Sequence, residues 1–142
     1  MSAAEIRSPV IAVLFDADEG PPPGLDVVDG EATIRYATDA AGLAAALDDA
    51  DILLVTDFRT HALHEAWSAA RRLRWIHATS AGVDAVLIPE VVASEIPVTN
   101  ARGLFDRGIA EYVLGAVLLF FQHVVWTIRD MHVALTGREM IE

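Results

Sequence analysis

The stretch Trp75-Ile76-His77-Ala78-Thr79-Ser80-Ala81-Gly82-Val83-Asp84 runs from a short apolar strand straight into a turn of small residues. Trp75 to Ala78 has the aromatic and aliphatic content of a buried strand. In an open parallel α/β sheet, ligands bind outside the carboxyl ends of the strands. Small side chains at such an end leave backbone N–H groups uncovered, and uncovered N–H groups bind carboxylates. Gly82 allows close approach of the backbone or a positive φ. Asp84 is positioned to cap the next helical turn. An ordinary strand-to-helix loop has the same make-up, so the spacing by itself leaves both readings open.

Outward from this point, strands and helices alternate. Val10 to Phe15 is a continuous apolar run that suits a strand buried on both faces. Gly20 to Gly24, with three prolines, is a loop. Thr33 to Tyr36 reads as a second strand. Asp39 caps a helix through Leu47, with Leu43 and Leu47 on one face. Ile52 to Val55 is a third strand, and Thr60 to Arg72 a helix with Leu63, Ala66, Trp67 and Ala70 inward. Val98 and Thr99 form a fifth strand after the one at Trp75. This alternation predicts an α/β fold: a flavodoxin-like, doubly wound parallel sheet of about five strands with helices on both sides.

The last helix is expected from about Asp106 to about Met131. At 1.5 Å per residue that is roughly 39 Å, longer than the roughly 30 Å breadth of a small domain. Val113, Ala116, Val117 and Phe120 make one apolar stripe, and Leu114, Leu118, Phe121 and Val125 another. A helix apolar on all sides wants cover on all sides. The expected organisation is therefore a sheet domain over residues 1–105 and a long interdomain or dimerisation helix over 106–142, in a piece of a longer protein. The same region is not a membrane span by composition. Glu111, Gln122 and His123 interrupt it, and the clean run Tyr112 to Phe121 is about half of the roughly 20 residues a bilayer requires.

Composition excludes several function classes. Hydrophobic residues make up 54% of the 142, enough for a sizeable core. The net charge of −11 supplies no basic stripe for nucleic acid. All ten basic residues are Arg, so Schiff-base, phosphate-loop and general-base lysines are ruled out. There is no Cys, which removes disulfides, thiolate nucleophiles and iron–sulfur ligation. A chain without Cys is compatible with the cytoplasm, the expected location.

Leu73-Arg74-Trp75-Ile76 followed by Ser80-Ala81-Gly82-Val83-Asp84 resembles the D-isomer-specific 2-hydroxyacid dehydrogenase pattern of an apolar strand and a small-Gly-x-Asp turn. The resemblance continues through Ile96-Pro97-Val98-Thr99-Asn100-Ala101. It reaches Gly108-Ile109-Ala110-Glu111-Tyr112, where the family opens a long helix. The three blocks are in register over roughly residues 50 to 135. The resemblance implies the N-terminal substrate-binding (catalytic) domain of such an enzyme. NAD or NADP would exchange hydride with C2 of a small 2-oxo or 2-hydroxy acid. The family's catalytic Arg, carboxylate and His belong to a cofactor domain beyond the end of this chain, so no catalytic residue is assigned within it.

None of the nine glycines forms GxGxxG. The chain is accordingly expected to bind no cofactor by itself and to be inactive alone, its last helix leading into an absent Rossmann domain. What carries over is the substrate side. Ala81 and Gly82 would offer N–H to the substrate carboxylate. Phe58 and Arg59 would face the same cleft from the loop after the third strand, Arg59 being suited to bidentate pairing. Phe105 and Gly108 would lie near the nicotinamide. A homodimer through the Asp106–Met131 helix is implied, with no nucleic acid or membrane partner. A non-catalytic dimerising module on the same fold is the alternative.

Other constellations are weaker. His61-x-x-His64-Glu65 has two imidazoles on one helical face but no evident third ligand, so no metal is expected. Asp16, Asp18 and Asp57 at strand ends suggest the Mg²⁺ site of a receiver domain. A receiver also needs a Lys after its fifth strand, where this chain has Asn100-Ala101-Arg102. Acidic turn residues are the simpler reading. His77, on a predicted buried strand, is read as a satisfied core residue.

Overall fold

The computed structural model describes residues 7–57, 61–121 and 124–136, the side chains of residues 124 and 125 excepted. The described residues divide into two compact units at Arg102 and Gly103. The first contains strands β1 (Val10–Leu14), β2 (Thr33–Ala37), β3 (Ile52–Val55), β4 (Trp75–Ala78) and β5 (Val98–Asn100), with helices α1 (Ala40–Leu47), α2 (Ala62–Ala66) and α3 (Pro89–Val92). The second contains α4 (Asp106–Phe121) and α5 (Val124–Thr136).

The five strands form one sheet in the order β2-β1-β3-β4-β5, and every neighbouring pair is parallel. The chain steps outward to β2, returns past β1 and then advances through β3, β4 and β5, the winding of a flavodoxin-like α/β sheet. Strand periodicity sorts the side chains. Val10, Ala12, Leu14, Leu53, Val55, Ile76 and Ala78 join Leu43, Leu47, Leu63 and Ala66 of α1 and α2 in one core. Leu14, Leu43, Leu47, Leu53, Leu63 and Ile76 are fully buried. Truncating any of these leucines to Ala costs about 2–5 kcal/mol.

The β1–β2 connection winds in the opposite sense from those carrying α1 and α2, so a right-handed crossover sends it over the other face. Instead of an α-helix it is a proline-rich loop with a single 3-10 turn at Leu25–Val28. Three consecutive prolines cannot build a helix interior. Of the aliphatic residues outside the core cluster on the three central strands, Val13 is fully buried while Ile11, Ile52 and Leu54 are only half-buried.

Local chemistry explains the boundaries. Asp39 caps α1 as expected, accepting from Gly42 N–H at 2.7 Å. The helix expected over Thr60–Arg72 is shorter: α2 ends at Ala66 and a 3-10 turn carries Trp67–Ala69, while Thr60 lies outside the described residues. The chain must reverse by Ala70 because Leu73 is already in the core and Trp75 opens β4. The helix expected over Asp106–Met131 is described as α4 and α5, reaching Thr136, with Gln122 and His123 outside the described residues. No single helix among the described residues is long and apolar enough to cross a membrane.

The amino edge of the sheet is tied by one residue. Asp51 donates its N–H to Val10 O at 2.9 Å and accepts from Arg74 N–H on its carbonyl at 2.8 Å. Its carboxylate accepts from Val10 N–H at 2.9 Å and from Arg7 Nη2 at 3.0 and 2.8 Å. The Val10 N–H and then the guanidinium groups of Arg7, Arg72 and Arg74 hold this carboxyl below its ordinary value, against the opposing effect of burial.

Candidate functional site at the carboxyl edge of the sheet

The turn after β4 stands at the carboxyl edge, where the winding of the chain changes direction nearby and ligands of such sheets bind. Its carbonyl groups are engaged. Ser80 O accepts from Ala101 N–H at 3.1 Å, Ala81 O from Asn100 Nδ2 at 2.7 Å, and Gly82 O from Ser80 Oγ at 2.6 Å. The N–H groups of Ala81 and Gly82 donate to no acceptor among the described residues, and both residues are exposed. Engaged acceptors beside open donors leave the turn's N–H groups available to an anion. A small cavity of about 290 Å³ opens here, lined by Ser80, Gly82, Asp84 and Ala85.

One expectation for this turn is narrowed and another corrected. Of the two uses expected of Gly82, positive φ is not the one found: among the described residues the glycines that have one are Gly20, Gly24, Gly30 and Gly103. A Cβ at Gly82 would make ordinary contact, 3.4 Å, with Asp84 Oδ2. Its contribution is bareness, not backbone freedom. Asp84 does not cap a helix. The next hydrogen-bonded turn starts at Val83, whose carbonyl accepts from Val86 and Leu87 N–H, and α3 begins later with Pro89 at its first position. Asp84 instead puts an exposed carboxylate beside the cavity.

Of the remaining sequence candidates, Phe58 and Arg59 lie outside the described residues, in the stretch between Asp57, just after β3, and His61. Phe105 and Gly108 belong to the second unit and are exposed. Phe105 O accepts from Ile109 N–H at 3.0 Å, in the first turn of α4. Asp16 forms a local turn, accepting from Asp18 N–H on its side chain at 2.9 Å. His64 Nδ1 lies 3.2 Å from Glu90 Oε2, linking α2 to α3. Among the described residues no three His, Asp or Glu side chains gather as a metal site.

His77 is half-buried rather than in the core, because it faces the thinly covered side of the sheet. It is nevertheless satisfied. Trp75 Nε1–H donates to Thr99 Oγ1 at 2.9 Å, and His77 Nδ1 shares a hydrogen bond with the same hydroxyl at 2.8 Å.

Sequence reasoning missed Asn100 as a site residue. It closes β5, and its amide fixes Ala81 from the neighbouring strand. The signal was an Asn at a strand end, legible only once β4 and β5 are known to pair.

The fold and the open N–H donors at its carboxyl edge define an α/β domain of flavodoxin-like winding, with those donors at the edge where ligands of such sheets bind. The chain matches the family of D-isomer specific 2-hydroxyacid dehydrogenases, catalytic domain, over residues 12–138, and belongs to it. It is similar in structure to a D-isomer specific 2-hydroxyacid dehydrogenase family protein from Aeromonas salmonicida (21% identity, TM-score 0.60, covering 89% of this chain and 40% of that one). A protein from Pyrococcus horikoshii (22%, 0.60, 94% and 42%) and a D-isomer specific 2-hydroxyacid dehydrogenase family protein from Klebsiella pneumoniae (25%, 0.54, 95% and 41%) share the fold. The chain thus spans about two fifths of the solved proteins it matches. No curated protein matches it.

Proposed function

We propose that this chain is the substrate-binding part of an oxidoreductase that transfers hydride between NAD(P)H and a small 2-oxo or 2-hydroxy acid. The observation that carries the reading is the pair of uncommitted N–H groups at Ala81 and Gly82. Two N–H donors on a fixed turn match a carboxylate's acceptors, and a bare Gly82 lets the substrate come close. Phe58 and Arg59 are assigned to the same substrate, Arg59 as the cation that balances its charge. Phe105 and Gly108 are assigned to the nicotinamide side.

Members of this family generally use NAD or NADP, and the nicotinamide, when bound, supplies the hydride. The residues of this chain do not fit the cofactor's phosphates, since no glycine falls in a GxGxxG run. They are assigned to binding and orienting the acid. The isolated chain is accordingly inactive, and the working enzyme is a cytoplasmic homodimer joined through the apolar helices that follow Asp106.

Two measurements test this reading. Glyoxylate or hydroxypyruvate titrated into the chain should shift the Ala81 and Gly82 amide resonances saturably. The full-length gene product should oxidise NADH or NADPH with a 2-oxo acid. Unmoved amides together with an inactive full-length protein would overturn the proposal. A second reading, a non-catalytic dimerising module, rests on the exposure of Tyr112, Phe120 and Phe121 on α4. Stable dimers without turnover in the full-length protein would select it.

A further inference from the structure

We propose that the cleft at the amino edge of the sheet is a second ligand site, taking a nucleoside monophosphate with its base on Trp75 and its phosphate on Arg74. The cleft is lined by Arg7, Pro9, Asp51, Ile52, Arg72, Arg74 and Trp75, at the opposite end of the strands from the Ser80–Asp84 turn. Its volume is about 610 Å³. That lies within the range of about 300–1,000 Å³ typical of small-molecule sites.

Charge selects the ligand. Arg7 pairs with Asp51 at 2.8 Å and with Asp49 at 3.5 Å, and Arg72 pairs with Asp49 at 2.6 Å. Two carboxylates thereby engage two guanidinium groups. Arg74 lines the same cleft; its guanidinium makes no direct hydrogen bond or ion pair among the described residues and acts on Asp51 only at longer range. Asp51 is held in its ionised form, first by Val10 N–H, so its pairing with Arg7 persists at neutral pH. A positive charge is left over in a chain whose net charge is −11. An anion with acceptors for a planar guanidinium fork satisfies it, and phosphate is such an anion.

Shape selects the rest of the ligand. Trp75 is 40% exposed at the cleft, a large apolar ring that the sheet does not cover. Its orientation is fixed from behind by the Nε1–H bond to Thr99 Oγ1 at 2.9 Å. A ring held in place stacks on a flat partner without losing rotamer freedom on binding. Nucleobases stack on such rings irrespective of their edge pattern. The ion pairs of Arg7 and Arg72 likewise exist before the ligand arrives, so the cleft is preorganised.

The test is a titration of the chain with adenosine 5′-monophosphate, adenosine and inorganic phosphate, read on the indole N–H resonance of Trp75. Trp75→Phe assigns that resonance against Trp67 and Trp126. The monophosphate is expected to shift it saturably, with adenosine and phosphate each binding about tenfold more weakly. Arg74→Gln, at an exposed position, should weaken the monophosphate about tenfold while lowering the thermal midpoint only slightly, through its lost pull on Asp51. A resonance that does not move, phosphate alone binding as well as the nucleotide, or unchanged affinity in Arg74→Gln would each overturn the proposal. The site is independent of the carboxyl-edge turn, so Ala81 and Gly82 amide shifts with 2-oxo acids are read separately.

Discussion

Asn100 Nδ2 donates to the carbonyl oxygen of Ala81 at 2.7 Å, so the last residue of β5 holds the turn that follows β4. This bond engages the Ala81 carbonyl, while the Ala81 and Gly82 N–H groups donate to no acceptor among the described residues. Asn100→Ala should cost about 0.5–1.5 kcal/mol in urea denaturation, the net value of one hydrogen bond. The Ser80 O to Ala101 N–H bond survives the change and keeps the turn folded. Glyoxylate binding, read on the Gly82 amide, should weaken several-fold. Asn100→Asp should be worse on both counts, because it faces a carbonyl with an acceptor. Equal glyoxylate affinity in wild type and Asn100→Ala would show that the bond does not organise the donors.

Gly82 and Asp84 make opposite demands on the same cavity. Gly82→Ala should change stability by no more than about 0.5 kcal/mol, since φ is not left-handed and the new methyl meets only Asp84 Oδ2 at 3.4 Å. It should nonetheless weaken 2-oxo acid binding, because the methyl stands where the carboxylate approaches. Asp84→Asn removes a like charge from the rim and should tighten binding, about two- to fivefold at low salt and less at high salt. Isothermal titration of both variants at two ionic strengths checks the pair. A salt-independent change in Asp84→Asn would mean that the carboxylate acts through the shape of the turn.

Much of the sheet was legible because its signals are local. The apolar run at Val10, the Asp39 cap and the small-residue turn at Ser80 each lie within a few residues and act through one period or one hydrogen bond. What was not legible depends on neighbours brought together by the fold. Asn100 and Ala81 are 19 residues apart, Trp75 and Thr99 24, and Arg7 and Asp51 44. None of these pairings has a spacing rule, because parallel strands are joined by connections of variable length. The reach of α2 failed for a similar reason: helical periodicity continues past Ala66, but the turn into Leu73 ends it. Phe58 and Arg59 lie outside the described residues, so their part in the site rests on the family resemblance.

Asp51 makes stability depend on pH at the acid end. Its folded-state pKa lies below the ordinary 3.8, chiefly through Val10 N–H and with help from Arg7, Arg72 and Arg74. A depressed carboxyl contributes stability that is fully present above its unfolded value and is lost as pH falls through the folded one. The chain should therefore lose this contribution only below about pH 4, with no dependence from this group at neutral pH. Asp51→Asn should flatten that acid limb and lower stability at pH 7, since Arg7 Nη2 loses its carboxylate partner. Thermal melts of both proteins across the acid range measure it. Parallel curves for wild type and Asp51→Asn would remove Asp51 as the titrating group.

The helices after Asp106 expose more apolar surface than a lone domain keeps in water. Tyr112, Phe120 and Phe121 are each more than three quarters exposed. Asp106, Ile109, Ala110, Val113, Leu114 and Val117 line a groove of about 530 Å³ along α4. Contiguous apolar faces of this kind mark interaction surfaces. A second copy presents the same side chains, so a two-fold pairing of α4 with itself lets Val113 and Val117 meet their counterparts without a new complementary surface. Light scattering of the chain should show a concentration-dependent dimer at micromolar concentrations. Val117→Glu, at the carboxyl-terminal end of the groove, should shift it to monomer, because burying that carboxylate costs more than the contact returns. Arg107→Gln, which removes the exposed pair with Glu111 at 2.7 Å, should leave the dimer intact. A monomer at every concentration in the wild type would exclude α4 as a self-association surface, and a dimer that survives Val117→Glu would move the contact off this groove.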